Sequence, residues 1–456
     1  MPADPPAATG PATRRAPLTS PTSRTTPPTG TTPPTGTTPP TGSTPPTGST
    51  PPTGTTPTTG TTPPTGSTPP ARRNPADLLL PAAREHGGAP GDAGPGAPHR
   101  PPHHSGRPDP HPRTRPAPRT RPLARSLLLL LSTTGLVGSI AAAVRIGTAD
   151  TGWTDLARVL ATRLGLDAEP LPPLVDSLLW DLRLPRVLMA ALVGASLAVC
   201  GTVLQAVTRN ALADPYLLGI SSGASTGAVA VVVLGVGATT LGVTGGALAG
   251  ALLSFALLLL LLRRTGLDSV RIVLTGVVVG QLLTALTSLI LMASADADTT
   301  RAVTHWLLGS MAPARWNTVV VCAIVTPLGL AVAWLCSNAL DGLAFGTDTA
   351  ASLGIEVRHT RMLLLVVTSA LTAVAVATVG AIGFVGLIVP HGVRFLVGPL
   401  HRVLLPYAAL AGAVFLVWTD ALARIAFAPR EVPVGVITAL LGVPLFLLVL
   451  RRRGEL

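Results

Sequence analysis

The chain has 456 residues, 47% of them hydrophobic and 12% charged, with a mean hydropathy of +0.51. A soluble domain carries about 25% charged residues, so half that share excludes an ordinary globular protein and points to lipid. The formal charge of +12 rests on arginine, since there is no lysine; those arginines sit among prolines or at the ends of apolar runs, which leaves no basic face for nucleic acid.

From about Pro27 to Pro70 a six-residue unit, PPTGTT or PPTGST, repeats. It has no apolar face to bury, so nothing offsets the entropy of ordering it. Residues 98–125 are rich in Pro, Arg and His, with His99, His103, His104 and His111; they read as a disordered basic linker rather than a metal-binding tract. Residues 1–30 lack the apolar core of a signal peptide. The expected organisation is a disordered low-complexity tail over 1–125 and a membrane domain over 126–456.

About 20 apolar residues cross a bilayer as a helix. In chain order the candidates are Ser126–Val144, Leu184–Val207, Tyr216–Val236, Leu241–Leu262, Val270–Met292 and Thr318–Cys336. Then come Met362–Ala381, a short broken segment from Gly383 to Val397, Leu404–Leu422 and Val434–Leu450. Polar or mixed connections fill 147–182, 294–317 and 338–361. An even count of ten puts both termini on one side. Arg125, Arg209, Arg263, Arg264, Arg358, Arg361, Arg402 and Arg451 to Arg453 then all fall on that side, which the positive-inside rule makes cytoplasmic.

Two features break this pattern. Gly380, Gly383, Gly386 and Pro390 interrupt the eighth segment, and such breaks survive in a membrane only where protein or a wet path satisfies the freed backbone. This reads as a functional half-helix or a kinked packing helix. Arg183, Arg186, Arg424 and Arg430 fall on the outer side, against the rule. Arginine forks onto carboxylates, so they read as a docking surface for an acidic partner or as local bridges such as Arg183 to Asp181 and Arg430 to Glu431. Cys200, Cys322 and Cys336 lie in apolar stretches with no metal or disulfide spacing.

The run Arg183-Leu184-Pro185-Arg186, then Gly201-Thr202-Val203-Leu204-Gln205, Asn210 to Pro215 and Leu217-Leu218-Gly219-Ile220-Ser221-Ser222-Gly223-Ala224, resembles the FecCD-type permeases. Gly380 to His391 and Glu431 to Pro444 extend the resemblance, which covers about residues 126–453 in order. These are membrane subunits of bacterial ABC importers for iron-siderophore complexes, haem and cobalamin. The resemblance implies an all-α polytopic protein of about ten transmembrane helices with the type II ABC importer permease fold. It implies a homodimer or heterodimer with the path at the interface, two ABC ATPase subunits, and a substrate-binding lipoprotein or periplasmic protein.

By motif, Arg183, Arg186 and Arg424 are the arginines that would seat the binding protein. The stretch Gly346 to Ile355 resembles a coupling helix, with Asp348, Ala351, Ser352, Leu353 and Gly354 against the ATPase and Gly354 reversing the chain; the family more often has glutamate where Asp348 stands. Gly383, Gly386, Pro390 and His391 would form the gate, with His391 at the end of the broken helix.

A phosphate-binding loop needs a lysine, so ATP is expected to be used by a partner subunit; with no facing pair of catalytic polar residues at membrane depth and no metal-ligand spacing, the chain is expected to be no enzyme and to bind no cofactor or metal. No carboxylate falls at the centre of a span, which argues against an ion-coupled carrier. The favoured cargo is a ferric siderophore; haem or cobalamin are alternatives, and a zinc or manganese permease a weaker one.

Overall fold

The computed structural model describes residues 122–147, 151–235, 240–293, 297–428 and 430–453. The tail expected over 1–125 lies outside the described residues up to position 121, and α1, Pro122–Arg145, begins four residues before the predicted first span. Proline at a helix start loses no hydrogen bond, because that N–H has no intrahelical partner.

The polar connection after α1 is itself helical: α2 (Trp153–Arg163), α3 (Pro173–Ser177) and a π-helical turn, Leu178–Arg183. The turn runs directly into α4, Leu184–Thr208. A helix that is apolar on every side belongs inside a bundle, and α4 buries all its residues except Arg186, Leu188, Leu192 and Ala195.

The third segment begins later than its hydropathy suggests. Pro215–Leu218 forms a 3-10 turn capped by the Asp214 side chain, and α5 (Ile220–Leu234) starts only after Gly219 turns the chain at φ +73°. The next helix, α6 (Thr240–Thr265), lies against α5 with backbones nearly touching. A Cβ on Gly227 would stand 2.0 Å from the Gly246 oxygen, and one on Gly250 2.2 Å from that of Gly223. Small residues at this spacing are how membrane helices gain packing without a hydrophobic driving force.

Then follow α7 (Ser269–Ala293), α8 (Ala297–Leu307) and α9 (Trp316–Leu335). Ser269, Ile272, Gly276, Val279, Leu283 and Thr287 form the buried stripe of α7, while Val270, Leu274, Leu282 and Leu289 are exposed. One face meets protein and the other is left for lipid or a second chain. The short helices α10 (Ser337–Phe345) and α11 (Thr347–Ser352) precede α12, Val357–Val379. Last come α13 (Val385–Val397), α14 (His401–Ile425) and α15 (Val434–Arg453).

Among the described residues, seven helices are long and apolar enough to cross a membrane: α1, α4, α6, α7, α9, α12 and α14. The shorter apolar helices α5 and α13, and the apolar stretch Val434–Leu448 of α15, occupy the other three predicted positions. The core is wrapped around α4, which packs against α14, α9, α12 and α13. Outside it, Leu130, Leu253, Ile324 and Leu328 are each about three-fifths exposed, a belt that water would not tolerate and lipid would.

Candidate functional site

The backbone sorts the arginines between two ends of the bundle. At one end, Arg361 Nη1 donates to the Leu267 carbonyl at 2.8 Å, and Ser269 Oγ donates to that of Val207 at 3.1 Å. These bonds join the start of α12, the start of α7 and the end of α4. At the other end, Trp316 Nε1 donates to the Trp180 carbonyl at 2.9 Å, joining the start of α9 to the π-helical turn.

Arg183, Arg186 and Arg424 meet at that second end. A helix leaves its last carbonyls without partners, and those of α1 receive guanidinium groups. Arg183 Nη1 donates to the Val144 and Arg145 carbonyls at 3.3 and 3.2 Å and to Thr151 Oγ1 at 2.8 Å. Arg424 Nη2 donates to the Ala143 carbonyl at 2.9 Å, and its Nη1 to that of Ile146. The positive charges also oppose the negative end of the helix dipole.

Arg186 faces two carboxylates. Its Nε lies 3.0 and 3.2 Å from the Asp420 oxygens, its Nη2 3.0 Å from Oδ1, and its Nη1 3.1 and 2.9 Å from the Glu431 oxygens. Asp420 is fully buried and also takes Arg424 Nε at 3.2 Å. All three arginines predicted to seat a partner are therefore engaged within the chain, with Arg183 and Arg424 buried and only the Glu431 pair reaching solvent. The suggested bridge from Arg430 gives way to one from Arg186, and Arg430 lies exposed in the loop after α14.

The broken segment is held from several sides. Gly380 ends α12 at φ +76°, and Phe384 enters α13 at φ +71°, an uncommon backbone for a residue with a Cβ. Between them the Ile382 N–H donates to the Tyr216 hydroxyl, while Ser310 N donates to the Val379 carbonyl at 2.8 Å. Pro390 cannot donate to the Gly386 carbonyl four residues back. Gln205 Nε2 takes that place at 3.2 Å, reaching Leu387 O at 3.3 Å as well. The exchange needs close contact: a Cβ on Gly201 would sit 1.8 Å from the Gly386 oxygen.

Gly383, Gly386, Pro390 and His391 thus lie on one break, braced by α4 and the turn before α5. His391 is corrected in one respect: it stands inside α13 rather than at its end, because the helix continues through Pro390 to Val397. It is buried, edge-on to Phe395 with ring centres 5.5 Å apart.

At the first end, α11 carries the predicted coupling residues. Ala350 is buried, whereas Asp348, Ala351, Ser352, Leu353 and Gly354 are exposed. Gly354, at φ +77°, ends the helix: its N–H donates to the Ala351 carbonyl at 2.9 Å and that of Ile355 to Ala350 at 3.0 Å. This is the expected glycine-capped reversal. The preceding α10 is pinned by His401, whose backbone N and Nδ1 lie 3.0 and 2.6 Å from Asp341 Oδ1.

Sequence reading missed the roles of Asp420, Gln205, Tyr216 and the Asp341–His401 pair, and it assigned Glu431 to Arg430 where the structure pairs it with Arg186. Gln205 had a signal, a polar side chain closing an apolar run opposite a helix-breaking proline. Asp420, 234 residues from Arg186, had none.

A bundle of apolar helices with a braced break, an arginine-clamped rim and the exposed α11 at the opposite end has the architecture of a multi-pass membrane protein. The sequence profile of the FecCD transport family matches residues 135–452, and the chain belongs to that family. It is 44% identical over 283 residues to the cobalamin import system permease protein BtuC of Halobacterium salinarum, covering 62% of this chain and 75% of that one. To the uncharacterized ABC transporter permease protein YvrB of Bacillus subtilis it is 41% identical, covering 62% and 80%. To the vitamin B12 import system permease BtuC of Salmonella typhimurium it is 41% identical, covering 60% and 84%.

A solved ABC transporter assigned to the metal-chelate type, in an inward-facing conformation, superposes with a TM-score of 0.63 at 29% identity. The match covers 72% of this chain and 99% of that one. The chain is thus an ABC importer permease, a transport component rather than an enzyme.

Proposed function

We propose that this permease imports a corrinoid of the cobalamin class. The observation that carries the reading is the agreement of relatives in an archaeon and a bacterium, 44% and 41% identical, that are named for cobalamin or vitamin B12 import. A ferric siderophore, the cargo expected from the sequence because that branch of the family is the commonest, is the second reading; the metal-chelate type of the solved neighbour supports it.

In the proposed cycle a binding protein delivers cargo at the rim of Arg183, Arg186 and Arg424. An acidic partner side chain exchanges with Glu431, the half-exposed member of the pair with Arg186, while Asp420 keeps the guanidinium in place. Charge complementarity of this kind steers and seats a partner more than it adds affinity. Two ATPase subunits dock on α11 through Asp348, Ala351, Ser352 and Leu353. Their closure moves α10 and α11, and the break at Gly383, Gly386, Pro390 and His391 gives at the path shared with a second permease. The chain itself holds no cofactor, and ATP is turned over by the partner. The arginine-rich end bearing α11 is cytoplasmic, as the positive-inside rule requires, and both termini lie there.

The test is uptake of labelled cyanocobalamin and of labelled ferric siderophore in a strain lacking this gene, with and without the gene restored. Loss and rescue of cobalamin uptake alone is expected. Loss of siderophore uptake alone would reverse the two readings, and unchanged uptake of both would overturn the importer's cargo class altogether.

A further inference from the structure

With only six residues, α11 has no core of its own and rests on α10. Ala350 is fully buried, and a Cβ on Gly342 of α10 would stand 2.5 Å from Ile355 Cδ1 and 3.7 Å from the Ala350 Cβ. A single residue, Gly346, joins the two helices. Load on α11 therefore passes to α10 through packing and chain alike.

In turn, α10 holds the start of α14. Asp341 Oδ1 accepts the His401 backbone N–H at 3.0 Å and His401 Nδ1 at 2.6 Å. His401 is the first residue of α14, and Leu400 before it offers no side-chain cap. The first turn of a helix carries N–H groups without partners and the positive end of the dipole. The carboxylate that a cap residue normally supplies from its own chain position here comes from another helix. The His401 ring is buried and its Nε2 has no hydrogen-bond partner, so the bond to Asp341 orients it.

The same corner leads straight to the break. Between the end of α13 at Val397 and His401 lie only Gly398, Pro399 and Leu400, and proline stiffens so short a link. The two helices also pack on each other. A displacement of His401 is thereby carried to the helix that bears Gly386, Pro390 and His391. The other connection from α11 runs along the chain into α12, but it passes through Gly354 at φ +77° and reaches α12 only at Val357.

We propose that the Asp341–His401 pair is the strut through which closure of the ATPases reaches the broken helix, with Asp341 a positioning residue for the transport step. This rests on the docking of the ATPases at α11 proposed above. Without the strut, α11 still presents its exposed face to the ATPase, but α10 moves past α14 and ATP is hydrolysed without shifting α13.

Hydrogen exchange followed by mass spectrometry reads local opening segment by segment. It is measured on the permease–ATPase complex in nanodiscs, first without nucleotide and then with ATP and vanadate. In the unaltered complex, residues 380–397 should exchange at different rates in the two states. Asp341→Ala, which removes both bonds, should lose that difference while ATP hydrolysis continues. Asp341→Asn, which keeps an oxygen for the His401 N–H, should retain it. Ser139→Ala, which removes the acceptor of Trp418 Nε1 on α14, should retain it as well. Where Asp341→Ala yields no assembled complex, His401→Phe, which keeps the ring's size and the backbone bond, should shrink the difference.

An undiminished difference in Asp341→Ala or His401→Phe would overturn the proposal and assign the route to α12. That holds even if residues 401–404 exchange faster in both states, as loss of a cap alone requires. Equal loss in Asp341→Asn would overturn it too, since the bond would not carry the effect. Loss of ATP hydrolysis in assembled Asp341→Ala would make Asp341 a support of the docking surface instead. No difference in the unaltered complex would refute the ATPase-driven opening itself, a separate failure. None of these readouts depends on which cargo is transported.

Discussion

Asp420→Asn is the perturbation that reaches furthest into this structure. The carboxylate is fully buried and lies within 3.2 Å of nitrogen atoms on both Arg186 and Arg424. The substitution keeps the size of the side chain and removes its charge. Arg424 then has no carboxylate at ion-pair distance among the described residues, and Arg186 keeps only Glu431, which is 47% exposed. Leaving a buried charge uncompensated costs about 3–5 kcal/mol, whereas an exposed pair contributes roughly 0–1 kcal/mol, so Glu431 cannot make good the loss. Glu431→Gln is the matched control and should cost no more than about 1 kcal/mol.

Unfolding in mixed micelles of rising denaturing-detergent content, followed by tryptophan fluorescence, measures both variants. Trp418 reports locally, since its Nε1 donates to Ser139 Oγ at 3.1 Å across the α14–α1 contact. The rim should loosen in Asp420→Asn before the rest of the bundle. A destabilisation no larger than that of Glu431→Gln would refute the view that a buried ion cluster clamps the end of α1.

Three further outcomes follow from particular contacts. Gly201→Ala places a methyl group 1.8 Å from the Gly386 oxygen, so α13 must shift; overpacking of this kind costs about 1–3 kcal/mol, and uptake should fall while insertion is retained, as measured by transport and protein level together. Arg186→Glu should weaken binding-protein docking, read by surface plasmon resonance against the reconstituted complex, and unchanged affinity would confine Arg186 to its internal pairs. Burial pushes the Asp214 carboxyl up from 3.8 to about 6, so between those values the folded chain holds more protons than the unfolded one. Stability from this group therefore falls as pH rises through that window, and Asp214→Asn, which keeps an acceptor for the Tyr216 N–H, should lose that slope in a pH series of unfolding midpoints.

Hydropathy made the bundle legible because a bilayer imposes a length on apolar segments that sequence displays directly. Thr318–Cys336 was expected where α9 runs from Trp316 to Leu335, and the agreement is close because both ends are marked by polar residues. Where a turn carries apolar side chains the signal fails: Tyr216, Leu217 and Leu218 look like membrane helix but form the 3-10 turn that braces Ile382. Connections read as merely polar hold α2, α8 and α10, whose helices are too short for hydropathy to register.

At the candidate sites the residue types were readable and their partners were not. The glycines and Pro390 announced a break, and Gly354 announced the end of a short helix. The outward arginines stood out against the orientation rule, but what they grip did not. Arg186 meets Asp420 and Glu431 from 234 and 245 residues away, and a single sequence carries no mark of such a pairing. Those three expected docking groups are held within the chain, Arg183 and Arg424 on carbonyls at the end of α1 and Arg186 on the two carboxylates.

Transport itself supplies the most direct test. Proteoliposomes holding this chain with its ATPase subunits, and the binding protein outside, should accumulate the proposed cargo, labelled cobalamin, only when ATP is present on the face that carries α11. Uptake that persists without ATP, or that follows an imposed proton or sodium gradient, would contradict the assignment of this chain as the permease of an ATP-driven importer.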